Sequence, residues 1–165
     1  MEIRNAGLED VDGILALIRQ RIGWMDETGL EQWNKTEYLS VYPRSYFEEI
    51  IRRGDIFIAS ENGAVVGAVA LFPQDPRWSA EENRDISALY VHHLVSDLRT
   101  PGVGRSLLAF AEDLARARSI QALRLDSAEG NAALEGYYTA LGYTTVGTCV
   151  DGPYVGIKRE KRLDG

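Results

Sequence analysis

Residues 99–106, Arg99-Thr100-Pro101-Gly102-Val103-Gly104-Arg105-Ser106, follow the apolar run Leu89–Val95 and precede a helical pattern, Leu107–Ala115. The order is strand, glycine-bearing loop, helix. Gly102 and Gly104 let the backbone turn tightly and approach a ligand. The N–H groups that open the helix, those of Val103, Gly104, Arg105 and Ser106, then form an anion site aided by the helix dipole. Arg99 and Arg105 add positive charge, and the natural guest is a pyrophosphate. A Walker A loop is excluded, because Arg105 stands where its lysine belongs. A dinucleotide fingerprint is excluded too, because Leu107 replaces its third glycine. An ordinary strand-to-helix turn stays open on this stretch alone.

A second stretch, Asn131 to Tyr143, is helical in pattern and ends at Gly142. Asn131 and Tyr138 lie two turns apart, so they share a face with roughly 10 Å of rise between them. A ligand arm along that face would meet an amide at one end and a phenol at the other, with Leu134 between. Gly136, at about 1 kcal/mol against alanine in a helix interior, hints at close packing or a bend.

Together the two stretches resemble the GCN5-related N-acetyltransferases. Arg99, Gly102 and Gly104 match the family's Arg/Gln-x-x-Gly-x-Gly/Ala coenzyme A loop. Asn131, Tyr138 and Gly142-Tyr143 match its Asn-x6-Tyr-x3-Gly-Phe/Tyr signature. The resemblance implies acetyl-CoA as cosubstrate, no metal, and direct attack by a primary amine in a ternary complex. In the family the tyrosine lies near the coenzyme A sulfur and the asparagine near the pantetheine arm, where alanine is commoner than Leu134. Tyr138 is then the acid for the departing thiolate. Main-chain N–H groups near Leu94 and Val95 would stabilise the oxyanion. Their register is loose, because the run from Tyr90 reaches Arg99 about two residues sooner than in most relatives.

The amine must arrive neutral, yet a lysine-like amine with a pKa of about 10.4 is protonated at pH 7. His92 and His93 are the only histidines. Strand alternation lets only one of them face the site; His93 is the candidate base, with Asp85, Glu61 and Asp126 behind it. Trp24 and Trp33 belong to an aromatic-rich segment, residues 23–42, that packs the body or shapes the acceptor pocket. Direct transfer needs no acyl-enzyme, so Cys149 is dispensable. Two other classes stay open: a non-catalytic acyl-CoA sensor, and an acyltransferase with another donor or acceptor.

The elements that must position these groups follow from periodicity. Glu2–Asn5 reads as a strand, and Leu8–Arg21 as a helix stopped by Gly23. A helix opens at Pro43 and closes at Gly54. Residues 55–60 and 64–72 form a hairpin through Asn62-Gly63, with Gly67 marking a bulge or close contact. A loop spans 73–83, a strand 84–95 and a helix 103–118. Further strands follow at 122–126, 143–150 and 154–159, with a helix at 131–141 and a frayed tail from Glu160 to Gly165. The expected fold is α/β (α+β), a mixed, mostly antiparallel twisted sheet of six to seven strands flanked by about four helices. This is also the family's element order.

The chain has 165 residues, 45% hydrophobic and 26% charged, as expected for a single domain over 1–165. A net charge of −7 argues against nucleic-acid binding and suits a small-molecule or peptide amine as partner. No run approaches the ~20 apolar residues of a membrane span. The N-terminus is no signal peptide, and one cysteine suits a reducing compartment, so the expected location is cytoplasmic. Oligomeric state is not readable; dimers are common among similar proteins, which keeps a homodimer open.

Overall fold

Apolar residues at helical spacing, Val11, Ile14, Leu15, Leu17 and Ile18, face inward on one long helix, α1 (Val11–Thr28), which follows strand β1 (Glu2–Asn5) and a 3₁₀ turn, Leu8–Asp10. The computed structural model describes residues 1–163. After α1 come α2 (Tyr38–Val41), α3 (Arg44–Arg52), β2 (Ile56–Glu61), β3 (Ala64–Phe72), α4 (Ala80–Asn83), β4 (Ala88–Ser96) and α5 (Val103–Ala117). The chain closes with β5 (Ala122–Ala128), α6 (Ala132–Ala140), β6 (Thr144–Asp151) and β7 (Tyr154–Arg162). The seven strands run in the order β1-β2-β3-β4-β5-β7-β6. β4 and β5 pair in parallel; the pairs β1–β2, β2–β3, β5–β7 and β6–β7 are antiparallel. The mixed, mostly antiparallel sheet expected from the periodicity is therefore present.

The chain divides into two compact units, residues 1–71 with 92–110, and residues 72–91 with 111–165. In the first, α1 packs against α3. Its core holds Ile14, Ile18, Phe47, Ile50, Ile56, Ile58, Val69, Val103 and Leu107. Gly67 on β3 makes this packing possible. A Cβ there would stand 2.5 Å from Val103 Cγ1 and 2.9 Å from Leu107 Cδ1, so α5 sits directly on bare backbone. Pairing also slips beside it: Ala59 opposes Gly67 but Ser60 opposes Val65, which leaves Val66 over as a bulge. Asn62 and Gly63 turn the hairpin with φ of 52° and 79°, as Asn-Gly predicts.

In the second unit Leu123 and Leu125 of β5, Ala111 and Ala115 of α5, Tyr138 and Tyr143 are buried. Arg124 is buried as well; its Nε donates to Glu160 at 2.8 Å and its guanidinium lies 4.5 Å from the Trp78 ring.

Four expectations need correcting. Gly23 does not stop the first helix, which runs on to Thr28 and ends at Gly29 with φ 77°. The glycine's helix penalty of about 1 kcal/mol is outweighed by buried Met25 and by Arg21 stacked 5.0 Å over Trp24. Pro43 is extended, with ψ 174°, and precedes its helix. The loop 73–83 closes as α4, whose capping box is reciprocal: Glu82 N–H donates to Ser79 Oγ, and Ser79 N–H to Glu82 Oε1. Glu160 is not frayed but buried, and β7 continues to Arg162, which pairs with Ala122. Asp164 and Gly165, the end of that expected tail, lie outside the described residues.

Candidate active site

In the first unit β4 ends at Ser96, and the Asp97 N–H donates to the bulged Val66 carbonyl at 2.8 Å. Asp97 then organises the turn. Its Oδ1 accepts the Arg99 N–H at 2.9 Å and Nε at 3.2 Å, while its carbonyl accepts the Thr100 N–H at 3.1 Å. Arg99 is thus folded onto a carboxylate, and that hydrogen bond raises its pKa. Gly102 takes φ 86°, a conformation side chains rarely adopt, and α5 begins at the next residue. Ser106 N–H already donates to Gly102 O at 3.1 Å, so the helix-opening N–H groups left for an anion are those of Val103, Gly104 and Arg105. Ser106 retains only its hydroxyl for that purpose. Arg105 is exposed beside them. This geometry fits a diphosphate.

Upstream, His93 has φ 53° within β4. A non-glycine residue held there stores about 1–3 kcal/mol, and strict alternation fails at that point. The imidazole is buried at 7% exposure. Its Nδ1 bonds the Tyr38 hydroxyl, and its Nε2 bonds the Tyr46 hydroxyl at 2.8 Å. Tyr42 and Phe47 complete a shell, with ring centroids 4.7 and 5.3 Å from the imidazole. With both nitrogens engaged, any base role for His93 runs through a tyrosine. Leu94 is half-buried and Val95 buried. Trp33 stacks on Tyr38 at 4.4 Å. Trp24 lies under Arg21, which donates to the Ser96 carbonyl at 2.8 Å and so ties α1 to the end of β4.

In the second unit Asn131 caps α6, its Oδ1 accepting the Leu134 N–H at 3.1 Å. Tyr138 is 9% exposed. Its ring meets Tyr143 at 5.6 Å, and the Arg159 guanidinium lies 6.0 Å from its centroid. Its hydroxyl makes no hydrogen bond among the described residues. Burial pushes the phenol well above its ordinary pKa; Arg159 opposes this, while Tyr137 and Asp126 add to it. Arg159, itself buried, donates from Nε to Ser127 Oγ at 3.2 Å. Gly136 shows no close packing, since a Cβ there would meet nothing within 4 Å among the described residues. Cys149 is buried and its thiol pKa is raised by desolvation. Asp126 is held by Tyr154 Oη at 2.6 Å and by Arg77 at 3.2 Å, whereas Glu61 and Asp85 are exposed. No group of three or more His, Cys, Asp or Glu among the described residues could hold a metal ion. No helix among them is long and apolar enough to cross a membrane.

Residue types and spacing do not single out Asp97 or Arg159, and they mark Tyr38 and Tyr46 only as aromatics of the region expected to shape the acceptor pocket, not as partners of His93. Tyr38 and Tyr46 are eight residues apart across a proline, so no single helical face links them. Asp97 carried a faint signal as an acidic residue at the mouth of an anion loop.

Residues 24–143 match the model of the acetyltransferase (GNAT) family. An L-methionine sulfoximine/L-methionine sulfone acetyltransferase of Pseudomonas aeruginosa is 29% identical, over 98% of this chain and 89% of its own. Among solved structures, a GNAT-family acetyltransferase from Streptococcus agalactiae is similar with a TM-score of 0.78 and 21% identity, covering 99% of this chain and 96% of that one. The PaiA N-acetyltransferase of Thermoplasma acidophilum, solved with coenzyme A, gives a TM-score of 0.77 at 19% identity, covering 98% of each chain.

Proposed function

Because the chain belongs to the acetyltransferase (GNAT) family, a family of acyltransferase enzymes, we propose that it moves the acetyl group of acetyl-CoA onto the primary amine of a small molecule. Transfer is direct, within a ternary complex. The observation that carries this reading is the left-handed Gly102 at φ 86°, immediately before the N-terminus of α5. There the N–H groups of Val103, Gly104 and Arg105 bind the diphosphate, with Arg105 and the Ser106 hydroxyl at its edge. Arg99 contributes less charge than its type suggests, since Asp97 neutralises it.

The amine nitrogen attacks the thioester carbonyl. The N–H groups of Leu94 and Val95 stabilise the oxyanion, a role worth about 2.7–4 kcal/mol per donor in comparable sites. As the oxyanion collapses, the carbon–sulfur bond breaks and Tyr138 gives its proton to the thiolate. The chain releases an amide, free coenzyme A and one proton to solvent. Asn131, committed by Oδ1 to its cap, has its NH₂ group for the pantetheine arm.

The acceptors named for the Pseudomonas aeruginosa relative are free amino acids with polar sulfur-bearing side chains. We extend that class to this chain: a small α-amine whose side chain lies against Trp33 and Trp24. Peptide amines are the alternative acceptors. We treat residues 1–165 as one catalytic domain, place it in the cytoplasm, consistent with its single buried thiol, and take a homodimer as its assembly. The test is thiol release from acetyl-CoA over a panel of L-methionine sulfone, L-methionine sulfoximine, spermidine and glycinamide. Turnover of an amino-acid member is expected. Cofactor binding without turnover of any amine would refute transfer and leave a sensor.

A further inference from the structure

We propose that Tyr46 is the group that takes the acceptor's proton and that His93, held from behind by Tyr38, stores it. The proposal rests on the acetyltransferase reading above and adds the missing base to it.

Three observations carry it. First, Tyr46 Oη, His93 Nε2, His93 Nδ1 and Tyr38 Oη form one continuous hydrogen-bonded line. Second, the backbone is strained to make that line. His93 is the one residue of β4 with positive φ, at 53°, and that break in the pleat aims its imidazole into the tyrosines. Third, the line is buried at one end and half-buried at the other: Tyr38 and His93 are 7% exposed, whereas Tyr46 is half-buried. Trp33, proposed above as an acceptor wall, stacks on Tyr38 at 4.4 Å, so acceptor wall and relay share one aromatic cluster. Titratable side chains against the imidazole include Tyr38, Tyr42 and Tyr46 from the α2–α3 segment and His92 from β4.

The protons balance as follows. Neutral His93 carries its proton on Nδ1 and donates it to Tyr38 Oη, while Nε2 accepts from Tyr46. The substrate ammonium gives one proton to Tyr46 Oη as Tyr46 passes its own to Nε2. His93 becomes an imidazolium, which later returns that proton to solvent. The amine, now neutral, attacks. Its second proton is the one that makes good the proton Tyr138 gives to sulfur. His93 is thus a positioning and proton-storing residue, and within the relay only Tyr46 touches the acceptor.

The experiment compares wild type with Tyr46→Phe, His93→Asn and the double variant, using the fastest amine of the panel above. Asparagine tolerates positive φ, so His93→Asn removes the imidazole and keeps the bend. At pH 7 each single variant should lose about 10²–10⁴-fold in kcat/KM, and the double variant no more, since the two act as a unit. Calorimetric affinity for acetyl-CoA should stay the same. The deficit should shrink about tenfold per pH unit towards the amine's own pKa, because the variants use only pre-neutral amine. Losses equal at every pH, or no loss, overturn the relay while transfer stands. A wild type inert on every panel amine removes transfer, and the relay with it.

Discussion

Replacing Tyr138 with phenylalanine deletes one oxygen and, by the geometry, little else. The hydroxyl has no hydrogen-bond partner among the described residues, so the change orphans no donor or acceptor. No hydrogen bond among the described residues is lost, so the melting temperature should stay close to that of wild type. The ring contacts, 5.6 Å to Tyr143 and 6.0 Å to the Arg159 guanidinium, survive in phenylalanine. Catalysis should behave differently. Loss of a general acid costs about 10²–10⁴ in rate, which is about 2.7–5.4 kcal/mol at 1.36 kcal/mol per decade. Burial keeps the phenol protonated far into alkali, so wild type should show no loss of this acid across neutral pH. The assay pairs thiol release, for kcat, with calorimetry for acetyl-CoA and a melting curve. An acetyl aryl thioester supplies the decisive control, because its acidic thiol leaves without a proton donor. The variant should be slow with acetyl-CoA and close to wild type with the aryl thioester. An unchanged kcat with acetyl-CoA, or an equal deficit with both thioesters, would refute the acid role of Tyr138.

Gly67→Ala should lower stability by about 1–3 kcal/mol through overpacking, since the new Cβ lies 2.5 Å from Val103 and 2.9 Å from Leu107. Those contacts belong to the first turns of α5, so coenzyme A affinity measured by calorimetry should fall with the melting temperature. Cys149→Ser should leave kcat unchanged, because a buried thiol with a raised pKa is a poor nucleophile and direct transfer has no use for one. Asp10 is 6% exposed and accepts hydrogen bonds from Arg4 at 2.8 and 3.1 Å and from the Gly7 N–H at 2.8 Å. The Arg4 bond is the main cause of its lowered pKa, against desolvation. A folded-state pKa below the unfolded value of about 3.9 means the stabilisation is complete above that value. It is lost as pH falls through the folded-state pKa. Asp10→Asn should therefore lower the melting temperature at pH 7, by about 1–3 kcal/mol in stability, and the gap from wild type should close in acid.

The fold was readable because most of its elements announce themselves locally. β2 and β3 are bounded by Asp55 and by an Asn-Gly turn that fixes register, and α3 and α6 end at Gly54 and Gly142 with φ of 76° and 96°. Misreadings fell where tertiary contacts overrode a local signal. Gly23 would end an isolated helix, yet Met25 beyond it is buried in the body and Trp24 stacks with Arg21 one turn back. Glu160 looks like a tail residue by composition, yet buried Arg124 lies 2.8 Å away, and pairing of Ala122 with Arg162 extends the strand. That buried pair joins residues far apart in sequence, and no window of local periodicity contains both.

The site divides along the same line. The glycine turn into α5 was legible because a tight turn before a helix depends on glycine placement, and glycines are visible in sequence. The hydrogen-bonded line of Tyr46, His93 and Tyr38 was not, because it depends on one dihedral angle. Alternation along β4 treats His92 and His93 as opposite-facing equivalents, and only the left-handed φ of His93 breaks that symmetry. Once it is broken, Tyr38 and Tyr46, which lie 55 and 47 residues upstream, become the imidazole's nearest polar partners. A β-region backbone at position 93 would restore alternation, carry the imidazole away from both hydroxyls and break its bonds to Tyr38 and Tyr46. The strain of about 1–3 kcal/mol therefore persists because two hydrogen bonds and four aromatic contacts reward it together, and that coupling makes position 93 the one place in β4 where a conservative change of side chain should alter chemistry more than stability.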